Sequence, residues 1–152
     1  MKILIVEDDH DKIEKINEFL EEKYGAEISV IVSESLRSAL HKLQSTSDID
    51  LVILDMSLPN FDINKQEPGG GTPESFAGKE LMAQMSLRGI KIPVVVLTQY
   101  AVFDEGKITL DELKSEFAND FEDFYLGSVY YNAAVDGWKV EISDLIDNHI
   151  KG

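Results

Sequence analysis

Asp50-Leu51-Val52-Ile53-Leu54-Asp55-Met56-Ser57-Leu58-Pro59 sets an unbroken apolar run of four between two carboxylates and closes on a proline. The run is too short for a buried helix and does not alternate. It therefore reads as a strand covered on both faces, the form strands take in a parallel sheet. Ile3-Leu4-Ile5-Val6, before Glu7-Asp8-Asp9, and Val94-Val95-Val96-Leu97, before Thr98, have the same form. Ile28-Ser29-Val30-Ile31-Val32 and the segment from Phe124 to Tyr131 are two further strands, less uniform because each carries a serine and the second a glycine.

Helical spacing fills the intervals. Ile13, Ile16, Phe19 and Leu20 mark a helix from about Asp11 to Lys23, with Gly25 suited to its stop. Leu36, Leu40 and Leu43 mark a second, capped by Ser33 or Ser35, and Leu81, Met82, Met85 and Leu87 a third. Thr109-Leu110-Asp111-Glu112 has the capping-box form ahead of Leu113 and Phe117, and Trp138, Ile142, Leu145, Ile146 and His149 mark the last. The order βαβαβαβαβα predicts an α/β fold, a doubly wound five-stranded parallel sheet with right-handed crossovers, in a single domain over 1–152. Two stretches interrupt the rhythm. A Gly-rich insertion at about 61–76, after the third strand, contains Pro68, Gly69, Gly70, Gly71 and Pro73, and an enlarged fourth-helix region spans about 101–123.

Composition narrows the function. Of 152 residues, 14 are Lys or Arg and 29 Asp or Glu, a net charge of −15. That field repels phosphate backbones and anionic lipid, so neither nucleic acid nor membrane is an expected partner. Without cysteine, disulfides, thiolate chemistry and Cys-ligated metals are excluded, and a reducing cytoplasm is the expected location. No apolar stretch reaches the about 20 residues of a membrane helix, and the N-terminus meets acids too soon for a signal peptide.

Ligands of an open parallel sheet bind at the carboxyl ends of its strands. Here those ends carry Glu7-Asp8-Asp9, Asp55 and Thr98. Any one acid in so acidic a chain is most simply a solvated loop residue. If the first and third strands are neighbours, however, their acids converge, and clustered carboxylates call for a cation. A hard divalent ion such as Mg²⁺ suits them, and one Asp then has the setting of a nucleophile towards phosphorus.

Taken together, these residues resemble the response-regulator receiver domain, whose CheY-like fold is flavodoxin-like. The resemblance rests on Ile3-Leu-Ile-Val-Glu-Asp-Asp9, on Asp55-Met-Ser-Leu-Pro59, and on Pro93-Val-Val-Val-Leu-Thr98, and it covers nearly the whole chain apart from the two excursions. It implies that Asp55 accepts a phosphoryl group, that Asp8 binds Mg²⁺ directly with Glu7 helping through water, and that the Ser57 carbonyl is a further metal ligand. Asp9 takes part of the role of Asp8 if the pattern shifts by one. Thr98 is then the switch hydroxyl and Tyr125 the switch aromatic. A histidine kinase or phosphotransfer protein is the implied donor, and an unknown downstream protein the output. The implied chemistry is self-directed, acceptance and autodephosphorylation rather than turnover of a substrate.

The departures are as informative. The family places a lysine at the end of the fifth strand, where this chain has Ser128, and no lysine lies between Lys114 and Lys139. A charge-assisted hydrogen bond contributes roughly 1.5–3 kcal/mol, so its loss weakens phosphoryl binding unless Ser128 substitutes or Lys65, Lys79 or Lys107 reaches in. The insertion is either a lid over the acceptor or a plain loop. Two further readings stand beside a stand-alone phospho-accepting receiver. One is a degenerate receiver that binds protein without phosphorylation. The other is a metal-dependent phosphatase with an Asp nucleophile, against which Ser57 counts, because such enzymes usually carry a second Asp there.

Overall fold

The structure is a computed structural model that describes residues 1–58, 76–103 and 107–151. The 61–76 insertion, and Pro59 with it, therefore falls outside the described residues except for Phe76. Five strands, β1 (Lys2–Val6), β2 (Ser29–Ser33), β3 (Leu51–Leu54), β4 (Val94–Thr98) and β7 (Tyr125–Tyr130), form one parallel sheet in the order β2-β1-β3-β4-β7. The predicted doubly wound sheet is observed, and β1 and β3 are neighbours.

Alternation along the strands divides the core in two. Leu4, Val6, Val52, Leu54, Val94 and Val96 pack beneath α2 (Leu36–Ser45), α3 (Ala77–Leu87) and α4 (Leu110–Asp120). Ile3, Ile5, Leu51, Ile53, Val95, Leu97 and Val129 pack beneath α1 (His10–Tyr24) and α5 (Gly137–Lys151). Burial on both faces is why these strands are apolar throughout. Trp138 is core, edge-on to Phe19 at 5.5 Å and tilted on Tyr131 at 5.2 Å.

One expectation is corrected: Leu87 is exposed, since α3 ends there and the chain turns away at Gly89. The fourth-helix region contains, in addition, a short antiparallel pair, β5 (Val102–Phe103) with β6 (Ile108–Thr109), before α4 starts on its Thr109 cap. The fifth strand of the sheet falls within the expected 124–131 segment, and a register shift between Val94 and Val95 moves its pairing from Tyr125 to Gly127. Thr98 thus faces Tyr130, and Ser128 faces Val96, two pairs short of the strand end.

Candidate functional site

The β1–α1 corner builds most of the site in six residues. Glu7 leaves β1 with its backbone N–H donating to the Ser33 carbonyl at 3.0 Å, and its Oε2 accepts from the backbone N–H groups of Asp8 and Asp9 at 3.0 and 3.1 Å. Asp9 caps α1, its Oδ1 accepting from the backbone N–H groups of Asp11 and Lys12 at 3.0 and 3.3 Å. Asp9 is exposed and occupied by that cap, so Asp8 is the acid left facing the cluster.

The cap fixes the first turn of α1 and with it Lys12, which is only 1% exposed. Its Nζ lies 2.5 Å from Glu7 Oε1 and 3.5 Å from Asp55 Oδ1, and donates to the Leu97 carbonyl at 2.7 Å. The Tyr131 ring sits beneath it, 5.3 Å from Nζ to centroid. The approach to Glu7 is ionic rather than directional, because Oε1 is buried without an aligned donor. Sequence reading passed over Lys12. The signal was available: Ile16, Phe19 and Leu20 are the buried stripe of α1, and one turn back from Ile16 that stripe reaches position 12 as well as Ile13.

Asp55 follows β3, its backbone N–H donating to the Val6 carbonyl at 3.0 Å and its Oδ1 accepting from the Met56 N–H at 2.8 Å. Gly78, in the first turn of α3, lies against this loop, and a Cβ there would meet the Asp55 carbonyl oxygen at 2.7 Å. Glu7, Asp8 and Asp55 each offer a carboxylate oxygen, and these oxygens lie within 4.8 Å of one another. Burial, reinforced by the charge of Asp55, raises the Glu7 carboxyl from 4.5 to about 8, against the pull of Lys12. Burial also raises Asp55, with Lys12 again opposing. Two buried carboxyl groups share one ammonium, and with Asp8 beside them they form an all-oxygen donor set of the kind a hard divalent cation takes.

The other expected residues lie at set distances from this centre along the chain. Ser57 is half-buried on the loop two residues past Asp55. Thr98 is fully buried at the end of β4, its Oγ1 accepting from the Tyr100 N–H at 3.3 Å. Ser128 does not occupy the strand end expected of the lysine position: its hydroxyl is 2.5 Å from the Tyr125 hydroxyl, and Tyr125 opens β7 at the opposite end from Thr98. Lys79 pairs with Glu116 at 2.7 Å, Lys107 is exposed, and Lys65 lies outside the described residues. His10 is exposed and pairs with Glu34. A cleft of about 640 Å³ opens beside Lys12, lined by Asp9, Gln99, Tyr130, Tyr131 and Asn132 among others.

Residues 3–65, which contain both halves of the acid cluster and Lys12, match the family model of the response regulator receiver domain. Over that stretch the chain is similar to response-regulator receiver domains. The Detocs response regulatory protein DtcB of Enterobacter cloacae (strain JD6301) is 26% identical over 144 residues, 93% of this chain and 95% of the relative. The phosphorylated cyanobacterial phytochrome response regulator RcpA matches in structure with TM-score 0.63 and 21% identity, over 95% of this chain and 89% of that chain. The Mn²⁺-bound form of response regulator Rcp1 matches with TM-score 0.63 and 18% identity, over 95% and 90%. The likeness to those structures is one of fold, a five-stranded parallel sheet flanked by helices. Among the described residues no helix is long and apolar enough to cross a membrane.

Proposed function

We propose that this chain is a receiver that accepts a phosphoryl group on Asp55 in a Mg²⁺-dependent step and signals the change through a protein contact. The observation that carries the reading is the convergence of Glu7, Asp8 and Asp55, from the ends of adjacent parallel strands, within 4.8 Å. Glu7, Asp8 and Asp55, with the Ser57 carbonyl, are the groups that would hold the ion, which would supply positive charge against the phosphoryl oxygens. The similarity to the Detocs response regulatory protein DtcB and to the Mn²⁺-bound form of Rcp1 supports this assignment.

The residues of the chain supply the rest. The Met56 N–H orients the Asp55 carboxylate, and Thr98 is the hydroxyl that follows the phosphoryl oxygens. Tyr125, expected as the switch aromatic, lies at the far end of β7 from Thr98 and packs edge-on against Phe117 of α4 at 5.6 Å, so it does not stand beside the switch hydroxyl. A histidine kinase or phosphotransfer protein is the donor, and the chemistry stays on Asp55, with no substrate turned over. A receiver that binds its partner without phosphorylation is the competing reading, favoured by Ser128 lying short of the strand end. Incubation with acetyl phosphate and Mg²⁺, followed by intact mass, separates them. We expect a single added phosphoryl that disappears in Asp55→Asn and with EDTA. An unmodified wild type would leave the contact-only reading.

A further inference from the structure

The lysine that the family pattern lacks at the end of the fifth strand has a counterpart in space. Among the described residues Lys12 is the one lysine buried to 1% exposure, and it is held among the groups that surround the acceptor. A buried ammonium needs partners for its three donors. Lys12 has the Glu7 carboxylate, the Leu97 carbonyl and, at 3.5 Å, Asp55 Oδ1. The third contact is longer than a hydrogen bond, so the ammonium is aimed at Asp55 without being saturated by it. A phosphoryl oxygen carried on that carboxylate comes within its reach. Beneath it, just past the end of β7, stands the Tyr131 ring, 5.3 Å from Nζ.

We propose that Lys12 is the residue that binds the phosphoryl group on Asp55, the ammonium arriving from α1 and Tyr131, just past β7, serving as its platform. The proposal rests on the phospho-acceptor reading of Asp55. In the transfer, an Asp55 oxygen forms the new P–O bond as the P–N or P–O bond of a phosphohistidine or acyl-phosphate donor breaks. The electron pair leaves with the donor's imidazole or carboxylate. Lys12 keeps its protons throughout, and exchanges its contact with Asp55 for one with a phosphoryl oxygen. Two elements have thus traded parts: the helix after the first strand supplies the charge, and the last strand supplies a ring.

The test uses the full chain with Mg²⁺ and beryllofluoride, a mimic of an aspartyl phosphate, followed by amide NMR on wild type and Lys12→Met. Met keeps the length of the side chain and removes the charge. We expect Mg²⁺ to bind Lys12→Met at least as tightly as wild type, because a competing cation is gone. Beryllofluoride should bind it on the order of tenfold to a hundredfold more weakly, the range set by one charge-assisted hydrogen bond. Unchanged beryllofluoride affinity would overturn the proposal, and so would a parallel loss of Mg²⁺ and beryllofluoride binding, the mark of a purely structural lysine. Should Lys12→Met not fold, the Lys12 ammonium resonance of wild type decides: a shift on adding beryllofluoride beyond that with Mg²⁺ alone supports the contact, and no shift rejects it. A wild type that ignores beryllofluoride altogether overturns the acceptor reading itself and the lysine proposal with it. Failure confined to the Lys12→Met comparison leaves Asp55 as acceptor.

Discussion

Glu7 and Lys12 are the two charged side chains of the β1–α1 corner that water scarcely reaches. Burial raises the Glu7 carboxyl in the folded chain from 4.5 to about 8, so the folded state holds this proton more tightly than the unfolded state does. Stability from this group is complete below about pH 4.5 and is lost as pH climbs through about 8. We expect urea denaturation in EDTA to show stability falling from pH 5.5 to 8.5, Glu7→Gln to flatten the slope, and Mg²⁺ to reduce it in wild type. An identical slope in Glu7→Gln would assign the effect to general charge repulsion. The acids were legible in the sequence because they end apolar strands. The helical stripe pointed to position 12, but the burial of a lysine there was not legible. Lysine is almost never buried without partners, and two of its three, Asp55 after β3 and the Leu97 carbonyl in β4, come from distant parts of the chain.

At the level of elements, α3 and α1 hold the site by their first turns. The Gly78 N–H donates to the Met56 carbonyl at 3.1 Å, and its missing side chain lets α3 close on the Asp55–Met56 backbone. Gly78→Ala should cost about 1–3 kcal/mol, the range for overpacking, and weaken Mg²⁺ binding as the acceptor loop shifts. Denaturation and a metal titration on the same variant check both. Asp9→Ala removes the α1 cap and should cost about 1 kcal/mol by urea denaturation, with beryllofluoride affinity falling as the turn that carries Lys12 frays. A cap loss that leaves the affinity untouched would show that the turn is held by Lys12 instead. The main strands were legible since burial on both faces leaves no polar position in β3 and in the first four residues of β4. The two-residue β5 and β6 carry no periodic signal, and the bulge that moves the end of β7 depends on pairing with β4, which no local pattern encodes.

Across the whole molecule, a net charge of −15 makes the compact state repel itself. Thermal melts should therefore rise with NaCl through screening. Mg²⁺ at matched ionic strength should raise them further, and Asp55→Asn should remove only that extra increment. If the increment survives in Asp55→Asn, Mg²⁺ is binding the diffuse surface charge. Glu7, Asp8 and Lys12 are contained in six residues of one β–α corner, and the stretch that matches the family model ends at residue 65. The charge balance of the pocket is thereby a short-range property of the chain, closed by Asp55 across a single strand pairing. A lysine on the last strand would have tied that balance to the outermost pairing of the sheet, made at the greatest loop separation and most exposed to fraying. If Lys12 supplies that charge from α1, the last strand carries no charge to the pocket and contributes only the Tyr131 ring just past its end, so fraying there would loosen a packing contact and leave the ion pairs in place.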